Sequence, residues 1–343
     1  MLNLIKNGRF QWPFFFTITC SRKITIKGKG KLFQIRFTIS SMKKKLLFIA
    51  TALLMSTSAI CQTADTISLK PALARLAIMG DSIIRGSNDT IRLECNQSFS
   101  SLLDSILNLK SSEYLSFHEV KALSILKSPD NAFVIYNWMC QTYFPYPQYK
   151  YFGYLRTLAK NGNAIKLYKL NEQTYEDNQE REAGKFGTDN WTGCVYYKIL
   201  LSKYKNKTNY VLLGWAPHNQ LSTRKIIESL SISNARVQFG VPIFKTGARP
   251  RPRLIFEYSY KATMSLNYNN EKKMIVFDNL SSSDPRPEMK TVYSTYGPDM
   301  SYNGLKFEKG FWVLYKDIDI RLDKDVKGKE GEIKKLRITK QAD

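Results

Sequence analysis

Phe256-Glu257-Tyr258-Ser259-Tyr260-Lys261-Ala262-Thr263-Met264-Ser265-Leu266-Asn267-Tyr268-Asn269 alternates without a break between apolar or aromatic side chains and polar ones. Successive side chains of a strand point to opposite faces, so this period of two predicts a half-buried antiparallel strand, or two collinear ones. After Asn269-Asn270-Glu271, residues 272–278 can return beside it. Working outward, residues 122–127 and 132–140 flank Ser128-Pro129-Asp130-Asn131, whose Pro and Asn suit a tight reversal. Residues 195–204 and 210–215 flank Lys205-Asn206-Lys207-Thr208 in the same way. Further strands are expected near 163–170, 236–244, 290–296 and 310–320, about a dozen in all.

Helical signals are few. Ser98 reads as an N-cap followed by Phe99, Leu102, Leu103, Ile106 and Leu107 on one face. A shorter helix is predicted over 222–230, burying Ile226, Ile227 and Leu230. Residues 62–95 and 172–190 read as loop, and 323–343 as a charged tail with no apolar period. No fixed-period repeat is present. The fold class expected is mainly β (α+β): an antiparallel β-sandwich or meander with an N-terminal amphipathic helix and one short helix. The domain plan is a helical and loop region over 62–120, a β domain over 121–322 and the tail.

The 343 residues hold 52 Lys+Arg against 29 Asp+Glu, a formal charge of +23. That balance ordinarily points to nucleic acid or an anionic membrane. Its distribution argues otherwise. Residues 1–41 contain eight basic residues and no acid, with no helical or strand period. Met42-Lys43-Lys44-Lys45, an apolar run over 46–55 and the small residues of 56–61 then have the anatomy of a secretory leader. The apolar run is too short to span a membrane as a helix. Met42 therefore reads as the start of translation and 1–41 as an upstream extension. Cleavage is expected after Cys61, leaving Gln62 first; the alternative is a lipoprotein acylated on Cys61. Without residues 1–61, the remaining 282 residues carry 41 Lys+Arg against 29 Asp+Glu. Much of the charge belongs to the leader and the stretch before it.

Chemistry is sparse in the motifs. Cys95, Cys140 and Cys194 remain beyond the leader. A Cys140–Cys194 bridge is the alternative to buried free thiols, and free thiols are expected. His118 and His218 stand apart from any metal-binding spacing, and no phosphate-cradling glycine motif occurs, so neither a metal nor a cofactor is expected. Pairing Cys194 with His218 has only their presence to support it. Gly80-Asp81-Ser82 resembles the nucleophile block of the SGNH/GDSL hydrolases, but the Asp-x-x-His that would activate the serine is absent. Four Asp-Ser/Thr-apolar triplets, starting at Asp65, Asp81, Asp89 and Asp104, resemble O-glycosylation acceptors of exported Bacteroidota proteins.

Two features are candidates for binding. Tyr143, Tyr146 and Tyr149 lie in a proline-containing aromatic segment that can stack on a sugar ring or a partner's apolar patch, or else cap the sheet edge. Ring exposure separates these. Arg249 and Arg251, in the stiff basic loop 245–253, suit phosphate or an acidic glycan. The ligand expected is a glycan or a protein partner, with no nucleic acid. Asp278, Asp284 and Asp299 near turns are the candidates for a hydrolytic carboxylate pair.

The segments 124–131, 196–199, 212–215, 253–259, 274–278 and 296–299 together resemble a family of exported Bacteroidota proteins that has no assigned activity. The resemblance covers about 95–320. It implies export and a late start, and it assigns no catalytic residue.

Overall fold

The computed structural model describes residues 69–320, apart from 111, 113, 114, 174–177, 234 and 235. The leader, the stretch before it and the tail at 323–343 lie outside the described residues. What is described is mainly β and antiparallel, with few helices.

The chain opens in helix α1, residues 69–85, where a loop was expected. Its buried Leu69, Leu76 and Ile83 recur every seven residues, a stripe too narrow to stand out among the polar and small residues around it. Ser82 lies inside this helix, its hydroxyl donating to Ile78 O at 3.1 Å, which is no place for a nucleophile. Helix α2 (Asp89–Leu107) starts well before the expected Ser98. Asn88 caps it instead, its side chain accepting the Ile91 N–H at 2.9 Å. Of the predicted stripe, Phe99, Leu103, Ile106 and Leu107 are buried and Leu102 is partly buried against the same core.

The two helices pack on the first sheet, whose order is β1 (Ser124–Lys127), β2 (Phe133–Thr142), β3 (Gln148–Leu158) and β4 (Ala164–Leu170). Alternation along β2 assigns the faces. Val134, Tyr136, Trp138 and Cys140 meet the helices, whereas Phe133 and Ile135 enter a second core. Trp138 fixes the helical layer to the sheet, its Nε1 donating to the buried Asn96 Oδ1 at 2.8 Å and Phe99 packing edge-on against its ring.

Beyond β4, residues 171–194 cross to the second sheet, and within them lies the short helix α3 (Asn178–Ala183). The second sheet comprises β5 (Val195–Tyr204), β6 (Lys207–Pro217) and β7 (Ser222–Ser233), with β8 (Arg236–Phe239) on the end of β7. After β9 (Phe244–Lys245), which joins the third sheet, β10 (Arg253–Ser259) returns to pair with β7. Strand β7 occupies the segment predicted as the second short helix. Ile226 faces the first sheet and Ile227 the third. A strand buried on both faces loses its alternation, and the apolar spacing then mimics a helix.

The alternating segment 256–269 divides between two sheets. β10 ends at Ser259, and β11 (Leu266–Asn269) begins the third sheet after a turn. Its even-numbered residues nevertheless enter one core, from Phe256 through Tyr268, with only Tyr260 left out. β12 (Met274–Ser282), β13 (Tyr296–Glu308) and β14 (Phe311–Tyr315) complete the third sheet, and β9 pairs parallel with β14 at its edge. The strand expected near 290–296 is two 3₁₀ turns over 287–295. Pro287 sits in the first of them, lacking the N–H that a strand ladder needs.

The order of layers is therefore helices, first sheet, second sheet, third sheet. The middle sheet is covered on both faces. On its first-sheet side it carries charge. Arg253 stands opposite Glu228, and Glu257 opposite Arg224, as cross-strand partners of β10 and β7. Both side chains of the Arg253–Glu228 pair are wholly buried. Glu228 also accepts the Tyr196 hydroxyl, which in turn accepts Trp191 Nε1 at 2.9 Å. The Arg253 Nη1 donates to Arg181 O and Gly184 O at the C-terminal end of α3.

Removing one member of such a pair leaves an uncompensated charge, at a cost of about 3–5 kcal/mol. Glu228→Gln is expected to lower unfolding free energy by about 3 kcal/mol in urea titration, and the double change Glu228→Leu with Arg253→Met by less. A Glu228→Gln variant within about 0.5 kcal/mol of wild type contradicts this role.

Candidate functional cleft

The polar face of the middle sheet runs out to the molecular surface at one end, where β6 stops at Pro217. Asn219 shapes the turn that follows, its Oδ1 accepting Leu221 N at 2.8 Å and Ser222 N at 2.9 Å. This turn holds His218 over β10. The His218 Nδ1 lies 3.0 Å from Glu257 Oε1, which also accepts the Ser222 hydroxyl at 2.5 Å. The second oxygen of Glu257 accepts Arg224 Nε at 2.9 Å and Asn178 Nδ2 of α3 at 2.6 Å. Burial pushes the Glu257 pKa up, but His218, the Arg224 charge, Ser222 and Asn178 outweigh it and hold the carboxyl well below the usual carboxylate range. Glu257 is thus ionised, and the Nδ1–H of His218 is committed to it. No hydrogen bond engages the His218 Nε2 among the described residues.

Facing this group across a cleft of about 930 Å3 are β3 and the end of β4. Its lining includes Tyr146, Tyr149, Glu172, Arg181, His218 and Arg224. Glu172 is held by the Tyr151 N–H at 2.8 Å. Burial raises its pKa, with the Tyr151 N–H, Arg181 and Lys150 pulling the other way. Arg181 is pushed down to about 10, by burial first and then by the like charge of Arg224. Two guanidinium groups thus share the floor with one reluctant carboxylate. Lys150 and Lys169 add positive charge, and Asn171 and Asn219 add amides.

The tyrosines differ. Tyr151 is buried and gives its hydroxyl proton to Pro217 O at 2.5 Å. Tyr149 accepts from Gln141 Nε2 at 3.2 Å, which leaves its own proton to donate. Burial, then the nearby Tyr143 and Tyr260, raise the Tyr149 pKa, so it stays protonated.

Of the residues singled out from sequence, the structure brings Tyr146 and Tyr149 to the cleft. Tyr146 is 55% exposed, as a stacking surface must be and an edge-capping ring is not. Tyr143 is exposed but is not part of the lining. Its ring packs under Arg92, 4.9 Å from the guanidinium carbon, and its N–H donates to Asp89. Arg249 and Arg251 line a separate hollow of about 690 Å3 beyond α3. Arg251 ties its loop to that helix through Glu182 at 3.2 Å. Asp278, Asp284 and Asp299 belong to neither hollow and have local partners: Ser265 N, Arg286, and Asn279 with Ser301.

Cys95, Cys140 and Cys194 are free. Cys140 enters the helix-side core and Cys194 the core on the other face of the first sheet, so no bridge joins them. Burial pushes both thiols up, which keeps Cys194 from serving as a nucleophile with His218. His118 is a surface residue beside Glu119. Of the Asp-Ser/Thr triplets, those at Asp81, Asp89 and Asp104 lie within helices, and the one at Asp65 lies outside the described residues.

Sequence reading missed His218, Glu257, Arg224, Arg181 and Glu172 as a group. One signal was present: Arg-x-x-x-Glu occurs at 224–228 and again at 253–257. A spacing of four keeps both charges on one face of a strand, here the face toward the first sheet. Searches against protein-family models, curated proteins and solved structures found no match.

The carboxylate anchoring His218 has a pH signature. A folded-state pKa depressed below the unfolded value gives stability that is complete above the unfolded range and is lost as pH falls. Wild type is expected to exceed Glu257→Gln in stability at every pH above about 5, the margin narrowing below about pH 4 as the carboxyl is protonated. Urea titrations across pH test this. A margin that persists unchanged to pH 2 contradicts the assignment.

Proposed function

We propose that this chain is an exported protein that binds an acidic glycan in the cleft. The observation that carries the reading is the exposed Tyr146 ring beside a floor built of Arg181, Arg224 and side-chain amides. Sugar rings present apolar faces that stack on tyrosine, while hydroxyl and carboxylate groups demand planar donors. The flanking Lys150 and Lys169 favour an anionic sugar over a neutral one. No helix among the described residues is long and apolar enough to cross a membrane. The Lys43-Lys44-Lys45 leader and the resemblance to exported Bacteroidota proteins support export.

Two experiments test these statements. On a glycan array the purified chain is expected to bind uronate-bearing polysaccharides above neutral ones, and Tyr146→Ala to weaken binding about tenfold. Equal binding of neutral glycans, or an unaffected Tyr146→Ala variant, contradicts the reading. N-terminal sequencing of protein from the native host is expected to begin at Gln62. A peptide from 1–41 contradicts the late start, and an acylated Cys61 replaces secretion with lipid anchoring.

A further inference from the structure

The cleft holds more than a binding surface needs. A binding site has no use for an imidazole aligned by a buried, fourfold-bonded carboxylate, nor for a tyrosine whose hydroxyl, among the described residues, is hydrogen-bonded only as an acceptor. Together they form a base and an acid on the lining of one cleft.

We propose that the cleft cleaves its acidic glycan by β-elimination at a uronate residue, with His218 as the base, Tyr149 as the acid, and Arg181 and Arg224 holding the uronate carboxylate. This rests on the acidic-glycan reading above. The C5 proton of a uronate is acidic only when charge building on the neighbouring carboxylate is stabilised, and two guanidinium groups supply that stabilisation.

The Glu257 carboxylate can only accept, so His218 donates a hydrogen bond to it from Nδ1, and the lone pair of that tautomer lies on Nε2. That nitrogen takes the C5 proton. The C5–H electron pair becomes the C4=C5 double bond, the C4–O4 bond breaks, and O4 takes the proton of the Tyr149 hydroxyl. The products are a shortened chain whose anomeric carbon keeps that oxygen as a hydroxyl, a new reducing end, and a chain beginning in an unsaturated uronate. No water, oxidant or cofactor is consumed. Ionised Glu257 stabilises the imidazolium that forms, and proton exchange with solvent then restores both residues.

The test incubates the purified chain with polygalacturonate, alginate, hyaluronan and heparan sulfate. Binding is followed by calorimetry, product by the ultraviolet absorbance of the unsaturated uronate, and new reducing ends by chemical assay. Absorbance is expected to rise with at least one of the four. His218→Gln and Tyr149→Phe are expected to lower that rate about 100-fold or more while affinity changes less than about threefold. Both positions are partly exposed, and circular dichroism confirms that each variant folds. Binding without absorbance overturns the elimination and leaves the binding reading intact. New reducing ends without absorbance show hydrolysis and overturn it as well. Failure to bind any of the four overturns both readings.

Discussion

Two Arg–Glu pairs facing each other across β7 and β10 are the constraint on which the cleft depends. They sit on a face that the rest of the middle sheet fills with Tyr196, Ile226 and Leu230. Placing charge there carries a large desolvation cost, offset only when every donor and acceptor is engaged. The inner pair offsets most of that cost through Tyr196 on the glutamate and the α3 carbonyls on the arginine, while Arg253 Nη2 has only its ion-pair contact with Glu228. A guanidinium at a helix C-terminus is also favoured by the helix dipole. Arg253 thereby fixes the position of α3, and α3 delivers Arg181 to the cleft and Asn178 to Glu257.

The outer pair serves the surface. Arg224 and Glu257 sit four residues further along the two strands, where the sheet edge opens to solvent. The same cross-strand geometry that closes the inner pair leaves one side of the outer pair to His218 and the cleft. Structural and functional charges are thus one continuous row, differing in how far each lies from water. Because both side chains of the inner pair are wholly buried, the proposed ligand recognition falls to the outer residues and to β3 and β4 across the gap.

The parts legible in the sequence were those whose burial is one-sided. The face of α2 and the core-facing residues of 256–268 followed their periods directly. The middle sheet did not, because a strand packed on both faces places Ile226 and Ile227 in two different cores and so reads as a helix. Helix α1 escaped notice because its buried side chains, Leu69, Leu76 and Ile83, recur only every seventh residue. In the cleft, Tyr146 and Tyr149 were visible as aromatic side chains clustered near prolines. His218 and Glu257 were not, since they are 39 residues apart and meet only through the register of β7 with β10. The basic loop drew attention by composition, yet Arg251 is occupied with Glu182.

The central claim is that the row of buried charge ends in a site for an anionic sugar. A crystal structure of the chain soaked with a uronate oligosaccharide tests it most directly. The account predicts a sugar ring against Tyr146 and a uronate carboxylate within hydrogen-bonding distance of Arg181 and Arg224. A sugar held instead at Arg249 and Arg251, with the cleft empty, would contradict it.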